Sequence, residues 1–315
     1  MTQTRSLMES ALLTGLSVVM FIGSNLPVAG ILLALLSPVP LVVLGLRHPM
    51  RNSLMGLVVA ALIVMLILGP VSALSFVLGF GLLGVLLGRL VQKKKDAVEI
   101  MLYGSMISLT CKLLLMALLV KITGLNPLDL DVTEMQSLLD TLLKLPSDPQ
   151  TAAAMKEQWT NTLQLMPMII PAILVMASVV DCWMSYWISG RVIKRLRGAE
   201  LPKLPPFTSW RFPQSVLFAF FAAVICSYIG LQYGGTKGLL LKVGLNLRLL
   251  VSSLFIIQGL SVAAYFLKRK NVNNFVIGLM IAAVILIPML SQLVTIVGIF
   301  DICWNLRVRY GGDHS

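Results

Sequence analysis

The stretch IMLYGSMISLTCKLLLMALLV, residues 100–120, has one charged residue, Lys112, in an otherwise uncharged and mostly apolar run. About 20 such residues, rising 1.5 Å each as an α-helix, cross the hydrocarbon core of a bilayer, which is about 30 Å thick. A lysine at that depth costs about 2.5 to 3.5 kcal/mol on insertion scales, so chains that retain one usually supply a partner or a wet cavity. The run therefore predicts a transmembrane helix and makes Lys112 the first candidate functional residue.

The whole chain has the same character as this run. Of its 315 residues, 57% are hydrophobic and only 12% are charged, with a mean hydropathy of +0.91. Soluble domains carry about 25% charged residues. The sequence predicts an all-α, polytopic transmembrane helical bundle of about eight or nine spans, rather than a barrel of short alternating strands. The candidate spans are residues 7–24, 26–46, 53–70, 71–89, 98–121, 164–190, 213–232, 243–267 and 275–300.

The last apolar stretch is ambiguous because Pro288 divides it. A single kinked span is favoured, since each half alone is short for a crossing. Nine spans would then leave Arg307 and Arg309 on the outer side, against the usual charge distribution. The alternative is a short hairpin that returns the C-terminal tail to the cytoplasm.

Positive charge is concentrated in links that lie on one side of the predicted bundle. The basic links are 47–51, 89–95, 191–211 and 268–270. Cytoplasmic loops of membrane proteins carry an excess of Lys and Arg, so this pattern predicts a cytoplasmic N-terminus. The formal charge of +12 is not gathered into one patch with interleaved aromatics. We expect it to meet anionic membrane lipid and not nucleic acid.

A polar insertion, 124–163, separates an N-terminal five-span half, 1–123, from a C-terminal membrane half, 164–315, which contains the basic cytoplasmic loop 191–211. Within the insertion, Asp131 and Glu134 resemble a capping box, and Asp148 before Pro149 is a helix start. The segment predicts amphipathic extracytoplasmic helices. They either connect two spans at the interface or form a lid over an outward-facing cavity.

No pattern typical of catalysis is present. The sequence lacks HExxH, GxSxG and Walker motifs, and its four cysteines are isolated from one another. We expect no enzymatic activity, no cofactor and no metal site. His48, beside Pro49 in a basic link, is expected to be a solvated surface residue.

Two cations and one acid are the candidate ligand-binding residues. If Lys112 and Arg248 both face the bundle interior, they suit an anionic or carboxylate-bearing small-molecule solute. In the alternative, Lys112 pairs with Asp181 and Arg248 extends to the membrane interface. The residues by themselves leave both interpretations open.

Two further segments are candidates for partner contact. Phe207, Trp210 and Arg211 stand in the proline-rich segment LPPFTSWRFP, residues 204–213, where they either anchor a protein partner or lie on lipid headgroups. Ala11 and Gly15 are four residues apart in the first span, a small-xxx-small spacing that is common in membrane helices.

Four segments carry a family resemblance: MESALLTGL (8–16), LSPVPLVVLGLR (36–47), GFGLLGVLLGRL (79–90) and LPKLPPFTSWRFP (201–213). Together they resemble the uncharacterised YybS-like bacterial membrane proteins. That family is distantly similar to the substrate-binding (S) components of energy-coupling-factor vitamin transporters, which are helical bundles with usually six spans. The resemblance implies a bacterial inner-membrane location, and it implies that Ala11 and Gly15 meet an energising membrane partner.

The sequence thus predicts a multi-pass inner-membrane protein that binds or transports a small solute from the outer side. The rival prediction is a non-transporting scaffold that recruits a partner through loop 191–211.

Overall fold

A computed structural model describes residues 3–27, 29–93, 96–124, 149–196, 201–234 and 238–311, and every regular element in these ranges is a helix. The all-α prediction is confirmed. The described residues form two compact units. The first contains residues 3–124 and 173–204, and the second contains residues 149–172 and 205–311. The predicted helices of the insertion fall largely outside the described residues, although the backbone is helical from Pro149 onward.

The first unit is built from the N-terminal helices together with the later part of one long helix. In chain order these elements are α1 (Gln3–Gly23), α2 (Gly30–Leu36), α3 (Pro38–Arg47), α4 (Met50–Leu68), α5 (Pro70–Phe76), a π-helical turn (Val77–Gly81), α6 (Leu82–Gln92), α7 (Ala97–Thr123) and α8 (Pro149–Arg195).

The second unit contains the beginning of α8 and the C-terminal helices. Its further elements are a 3₁₀ turn (Phe207–Ser209), α9 (Ser215–Gly234), α10 (Leu239–Arg269), α11 (Asn274–Leu286), α12 (Pro288–Trp304) and α13 (Leu306–Gly311).

Eight helical segments of the described chain are long and apolar enough to cross a membrane. They agree with the first eight spans predicted from sequence. Six of them lie wholly or mostly in the first unit. The eight segments are Ser6–Gly23, Gly30–Arg47, Met50–Leu68, Pro70–Gln92, Ala97–Thr123, Leu165–Arg195, Ser215–Tyr233 and Leu239–Arg269.

The last apolar stretch is a broken pair of helices. Helices α11 and α12 are bent by 108° at Ile287, just before Pro288. The two ends of the pair also lie together, because Arg269, before α11, donates a hydrogen bond to the carbonyl of Tyr310, beyond α12 (3.2 Å). These contacts favour the hairpin over the single kinked span. They place Tyr310 beside the residue that ends α10.

Two spans of the first unit are irregular near their middle. The second span is divided at Ser37 into α2 and α3, where Pro38 and Pro40 each lack the N–H that an α-helix needs. The carbonyl of Ser37 is stabilised by the Ser17 hydroxyl, which donates to it over 2.7 Å. The fourth span contains the π-helical turn Val77–Gly81.

Glycines allow α3 and α6 to pack backbone against backbone. A Cβ added to Gly88 would lie 2.3 Å from the carbonyl oxygen of Val42, and one added to Gly45 would lie 2.3 Å from that of Val85. Such distances are far inside van der Waals contact. The Gly84 and Gly88 spacing therefore serves helix packing within the chain.

We predict that Gly88→Ala lowers the midpoint of thermal unfolding, because the methyl group collides with the α3 backbone. Overpacking of this kind costs about 1 to 3 kcal/mol. Gly79→Ala is the matched control, since a Cβ at Gly79 meets nothing within 4 Å. Equal midpoints for the two variants in detergent would contradict this account of the packing.

Candidate functional site

Lys112 and Asp181 form an ion pair near the middle of two spans of the first unit. The Lys112 Nζ lies 2.6 Å from Asp181 Oδ2, joining α7 to α8. Lys112 also donates to the hydroxyl of Ser108, one turn earlier on α7, over 2.6 Å. The side chains are 16% and 32% exposed, respectively. Each charge therefore neutralises the other where hydrocarbon would make either one alone costly.

A small hollow with a volume of about 10 Å³ borders Asp181. That is room for about one water molecule and not for an organic solute. The hollow is lined by residues from the broken second span, the π-helical fourth span and α8. These residues are Ala34, Leu35, Pro38, Gly79, Phe80, Leu83, Asp181, Met184 and Ser185.

Arg248 does not share the environment of Lys112. It lies on α10, in the second unit, and its side chain is exposed. Of the two predicted cations, only Lys112 is partly enclosed within its own unit, and a joint role for Arg248 stays a prediction. The ammonium of Lys112 is likewise occupied, by Asp181 and Ser108.

His48 is buried, which corrects the expectation of a solvated residue. Its side chain is only 2% exposed, and its Nδ1 lies 3.0 Å from the Ser6 hydroxyl. Glu9 lies next to it and forms an ion pair with Arg47 (Nη1–Oε1 2.6 Å). The beginning of α1 thus covers the end of α3, a tertiary contact that the local sequence around Pro49 does not reveal.

The aromatics of the proline-rich segment are turned onto their own loop. The Trp210 indole donates to the carbonyl of Pro205 (3.0 Å), and the rings of Phe207 and Trp210 pack edge to face at 5.4 Å. Both side chains are half-buried, whereas Arg211 is exposed. Of the three residues predicted as a contact surface, Arg211 is the most accessible.

Arg307 attaches this loop to the C-terminal helices. Its guanidinium donates to the carbonyls of Thr208 (2.5 Å) and Trp210 (2.9 Å) and to the Ser261 hydroxyl (2.9 Å). Ser261 in turn donates to the carbonyl of Phe207 (2.6 Å). Burial lowers the pKa of Arg307 while Asp301 raises it. The group stays charged, because an arginine begins far above physiological pH.

Asp301 is a fully buried acid that the sequence interpretation missed. Its Oδ2 accepts a hydrogen bond from Gln258 (2.5 Å) and lies 3.7 Å from Arg307 Nη2. Gln258 also accepts from the backbone N–H of Phe212 (3.0 Å), so the network reaches the loop. The predicted last span ends at residue 300, one residue before Asp301. An acid directly after an apolar run, with Arg307 six residues on, was the available signal.

Asn246 replaces a missing backbone hydrogen bond in α8. It accepts from the N–H of Ala172 (2.7 Å) and donates to the carbonyl of Met168 (2.6 Å), two groups that would otherwise bond to each other. Pro167 and Pro171 lie beside this gap. A side chain inserted into the helical ladder is a known cause of helix bending. Asn246 thus bonds α10 to α8, and Gln258 bonds α10 to Asp301 of α12.

Residues 15–302 match the family model described as "Predicted membrane protein (DUF2232)". The chain belongs to this family. It is also 25% identical, over 312 residues, to the uncharacterized protein YybS of Bacillus subtilis (strain 168), with 98% of this chain and 99% of that protein covered. No solved structure matches. The predicted YybS-like membership is confirmed, and a DUF2232 member is a membrane protein whose family description names no activity.

In this DUF2232 member, Ala11 and Gly15 line an apolar groove between α1 and α4, with a volume of about 330 Å³. A Cβ at Gly15 would meet nothing within 4 Å, so the small residue is not required by packing within the described chain. The hydroxyl of Thr14, which also lines the groove, is buried and has no hydrogen-bond partner among the described residues.

We predict that Arg307→Met accelerates tryptic cleavage after Lys203 and Arg211, because the loop loses its donors and Asp301 loses its counter-ion. Breaking a buried pair by removing one partner costs about 3 to 5 kcal/mol. Arg309→Met is the matched control, since Arg309 is exposed. Adding Asp301→Asn to Arg307→Met should restore part of the protection. Equal cleavage of the two single variants would contradict the role given to Arg307.

Proposed function

We propose that this protein is a solute-binding component of a transport system in the bacterial inner membrane, with Lys112 and Asp181 as its charged site. The observation that carries the proposal is an ion pair near the middle of two apolar spans. Replacing both partners of a buried ion pair with apolar side chains is often neutral or stabilising, so stability alone gives little reason to retain such a pair. Charges at membrane depth usually mark ion or substrate pathways.

The size of the first unit supports the resemblance to S components. That resemblance implies a bundle of six spans, and the whole chain has more. Six spans nevertheless gather in the first unit, while the other helices belong to a second. The S-like part would then be the first unit alone.

In the proposed mechanism, an anionic group of the solute replaces Asp181 at the ammonium of Lys112. Ser108 holds the amine in position during the exchange, because it is bonded to Nζ independently of Asp181. Since the hollow beside Asp181 admits only about one water, solute entry requires the surrounding helices to open. Arg248 has no part in this site. The mechanism is transport without a covalent step, and we propose no enzymatic activity.

The groove on α1 is the proposed contact for an energising membrane partner. Small residues let two helix backbones approach closely in a bilayer. Ala11 and Gly15 line an open, apolar groove, as such a contact requires. The scaffold alternative has weaker support, because Phe207 and Trp210 bond within their own loop and leave Arg211 as the exposed contact.

We further propose that both termini face the cytoplasm. The basic links set the N-terminal side, and eight spans followed by a returning hairpin bring the tail to the same side. A green fluorescent protein fused after Ser315 should fluoresce, whereas alkaline phosphatase at the same position should be inactive. An active phosphatase fusion would refute this topology.

The ligand role of the pair is tested by exchanging its charges. We predict that Lys112→Met and Asp181→Asn each lower the unfolding midpoint, and that Lys112→Asp with Asp181→Lys restores most of it by rebuilding the pair. Binding should not be restored, because the cation then lies on α8. Binding is measured by mass spectrometry of small anions that co-purify with the protein in mild detergent.

Lys121→Met is the control, since Lys121 is an exposed lysine at the end of the same helix. The decisive result is the charge exchange variant. The pair has only a structural role if this variant regains stability and retains the same co-purified anion. The same conclusion follows if all the variants contain as much anion as the wild type and the control.

A further inference from the structure

The last turns of α8 carry an exposed row of aromatic and basic side chains. The row has one residue at every fourth position, on one face of the helix, and consists of Trp183, Trp187, Arg191 and Arg195. The rings of Trp183 and Trp187 stack at 6.0 Å. The guanidinium carbon of Arg191 lies 3.5 Å from the centroid of the Trp187 ring. Contacts within the row therefore hold these side chains in place, while all four residues stay exposed.

The same face becomes apolar toward the beginning of the helix. Ile173 and Val180 are exposed and stand at heptad spacing before Trp187. From Val180 to Arg191 the helix rises about 16 Å, at 1.5 Å per residue. That is about half the thickness of the hydrocarbon core of a bilayer. Apolar, aromatic and basic side chains thus follow one another in the order of the acyl, interfacial and headgroup layers of one leaflet.

The basic end of this face has free hydrogen-bond donors. Arg191 makes no hydrogen bond or ion pair within the described chain, and the Trp187 ring that orients its guanidinium supplies no oxygen acceptor. Lys194 and Arg195 are exposed next to it and likewise have no partner among the described residues. A planar guanidinium suits bidentate bonding to phosphate oxygens.

No carboxylate of this span neutralises these cations. Asp181 is the one acid in the sequence of the span Leu165–Arg195, and it is paired with Lys112. The face therefore combines an uncompensated positive end with an apolar stretch of the length of an acyl chain. A soluble anion would use only the first of these features, whereas a phospholipid uses both.

We propose that this face of α8 binds one anionic phospholipid, with its phosphate at Arg191 and Arg195 and an acyl chain along Trp187 and Val180. A zwitterionic lipid fits less well, because its ammonium group would meet the same cations. This is a defined site, in addition to the general attraction of basic links to anionic lipid. It is separate from the Lys112–Asp181 pair and does not rest on the proposed function.

The test titrates phosphatidylglycerol or phosphatidylcholine, with identical acyl chains, into the purified full-length protein in detergent and measures bound lipid by native mass spectrometry. The wild type should bind its first phosphatidylglycerol more tightly than phosphatidylcholine. Arg191→Met should weaken phosphatidylglycerol binding about threefold to tenfold, as expected for one cation at a headgroup, and leave phosphatidylcholine binding unchanged. Arg51→Met is the matched control, since Arg51 is an exposed arginine in another basic link.

Three results would overturn the proposal. The first is equal affinity of the wild type for the two lipids. The second is equal affinity of Arg191→Met and Arg51→Met for phosphatidylglycerol. The third is complete displacement of the lipid by an equimolar amount of glycerol 1-phosphate, because a soluble phosphate would then suffice and the apolar part of the face would have no role.

If Arg191→Met does not fold, the arginines can be left intact. In nanodiscs, brominated phosphatidylglycerol should quench the tryptophan fluorescence of the wild type more than brominated phosphatidylcholine does. Trp183→Phe together with Trp187→Phe should remove this excess, while Trp304→Phe, which changes an exposed tryptophan of α12, should preserve it. No excess in the wild type, or an equal excess in the two variants, would overturn the proposal.

Discussion

The structure depends on one constraint, which is that hydrocarbon offers no partner to a charge or to a free hydrogen-bonding group. The described chain meets it by pairing charges inside each unit. Lys112 is neutralised by Asp181 in the first unit, and buried Asp301 is held by Gln258 and Arg307 in the second. The first pair borders a hollow, whereas the second fastens a loop. This difference in surroundings, and not the charge itself, separates a candidate binding site from a structural one.

The same constraint governs the backbone. Proline removes a backbone N–H donor wherever it interrupts a span, and each interruption is accommodated in a different way. At Ser37 a hydroxyl from α1 stabilises the carbonyl at the break, and in α8 the amide of Asn246 stands in for a helical hydrogen bond. At Pro288 the helix turns by 108°. Of these interruptions, only the break at Ser37 borders the hollow beside Asp181, as does the π-helical turn Val77–Gly81, and this is a reason to look for function there.

Membership of the DUF2232 family, together with coverage of nearly all of the Bacillus subtilis relative, fixes the class of the protein as a membrane protein. Because the family description names no activity, a function has to be argued from the residues of the chain. In the proposed site, an anion would bind at Lys112 within a six-span unit. The groove at Ala11 and Gly15 would give that unit a place to meet a partner helix. In the second unit, Arg307 holds the proline-rich loop by hydrogen bonds to its carbonyls, which is a structural role.

By itself, the sequence determined the helical class and the first eight spans, because the length and hydropathy of a segment suffice to decide whether it can cross a bilayer. It also pointed to Lys112, since a lone charge in an apolar run is visible locally. Only the tertiary structure decided which groups meet: that Asp181 reaches Lys112, that His48 is covered by α1, and that Arg307 returns to the loop. Those contacts join residues far apart in the chain, and their geometry follows from how helices pack, which no local pattern records.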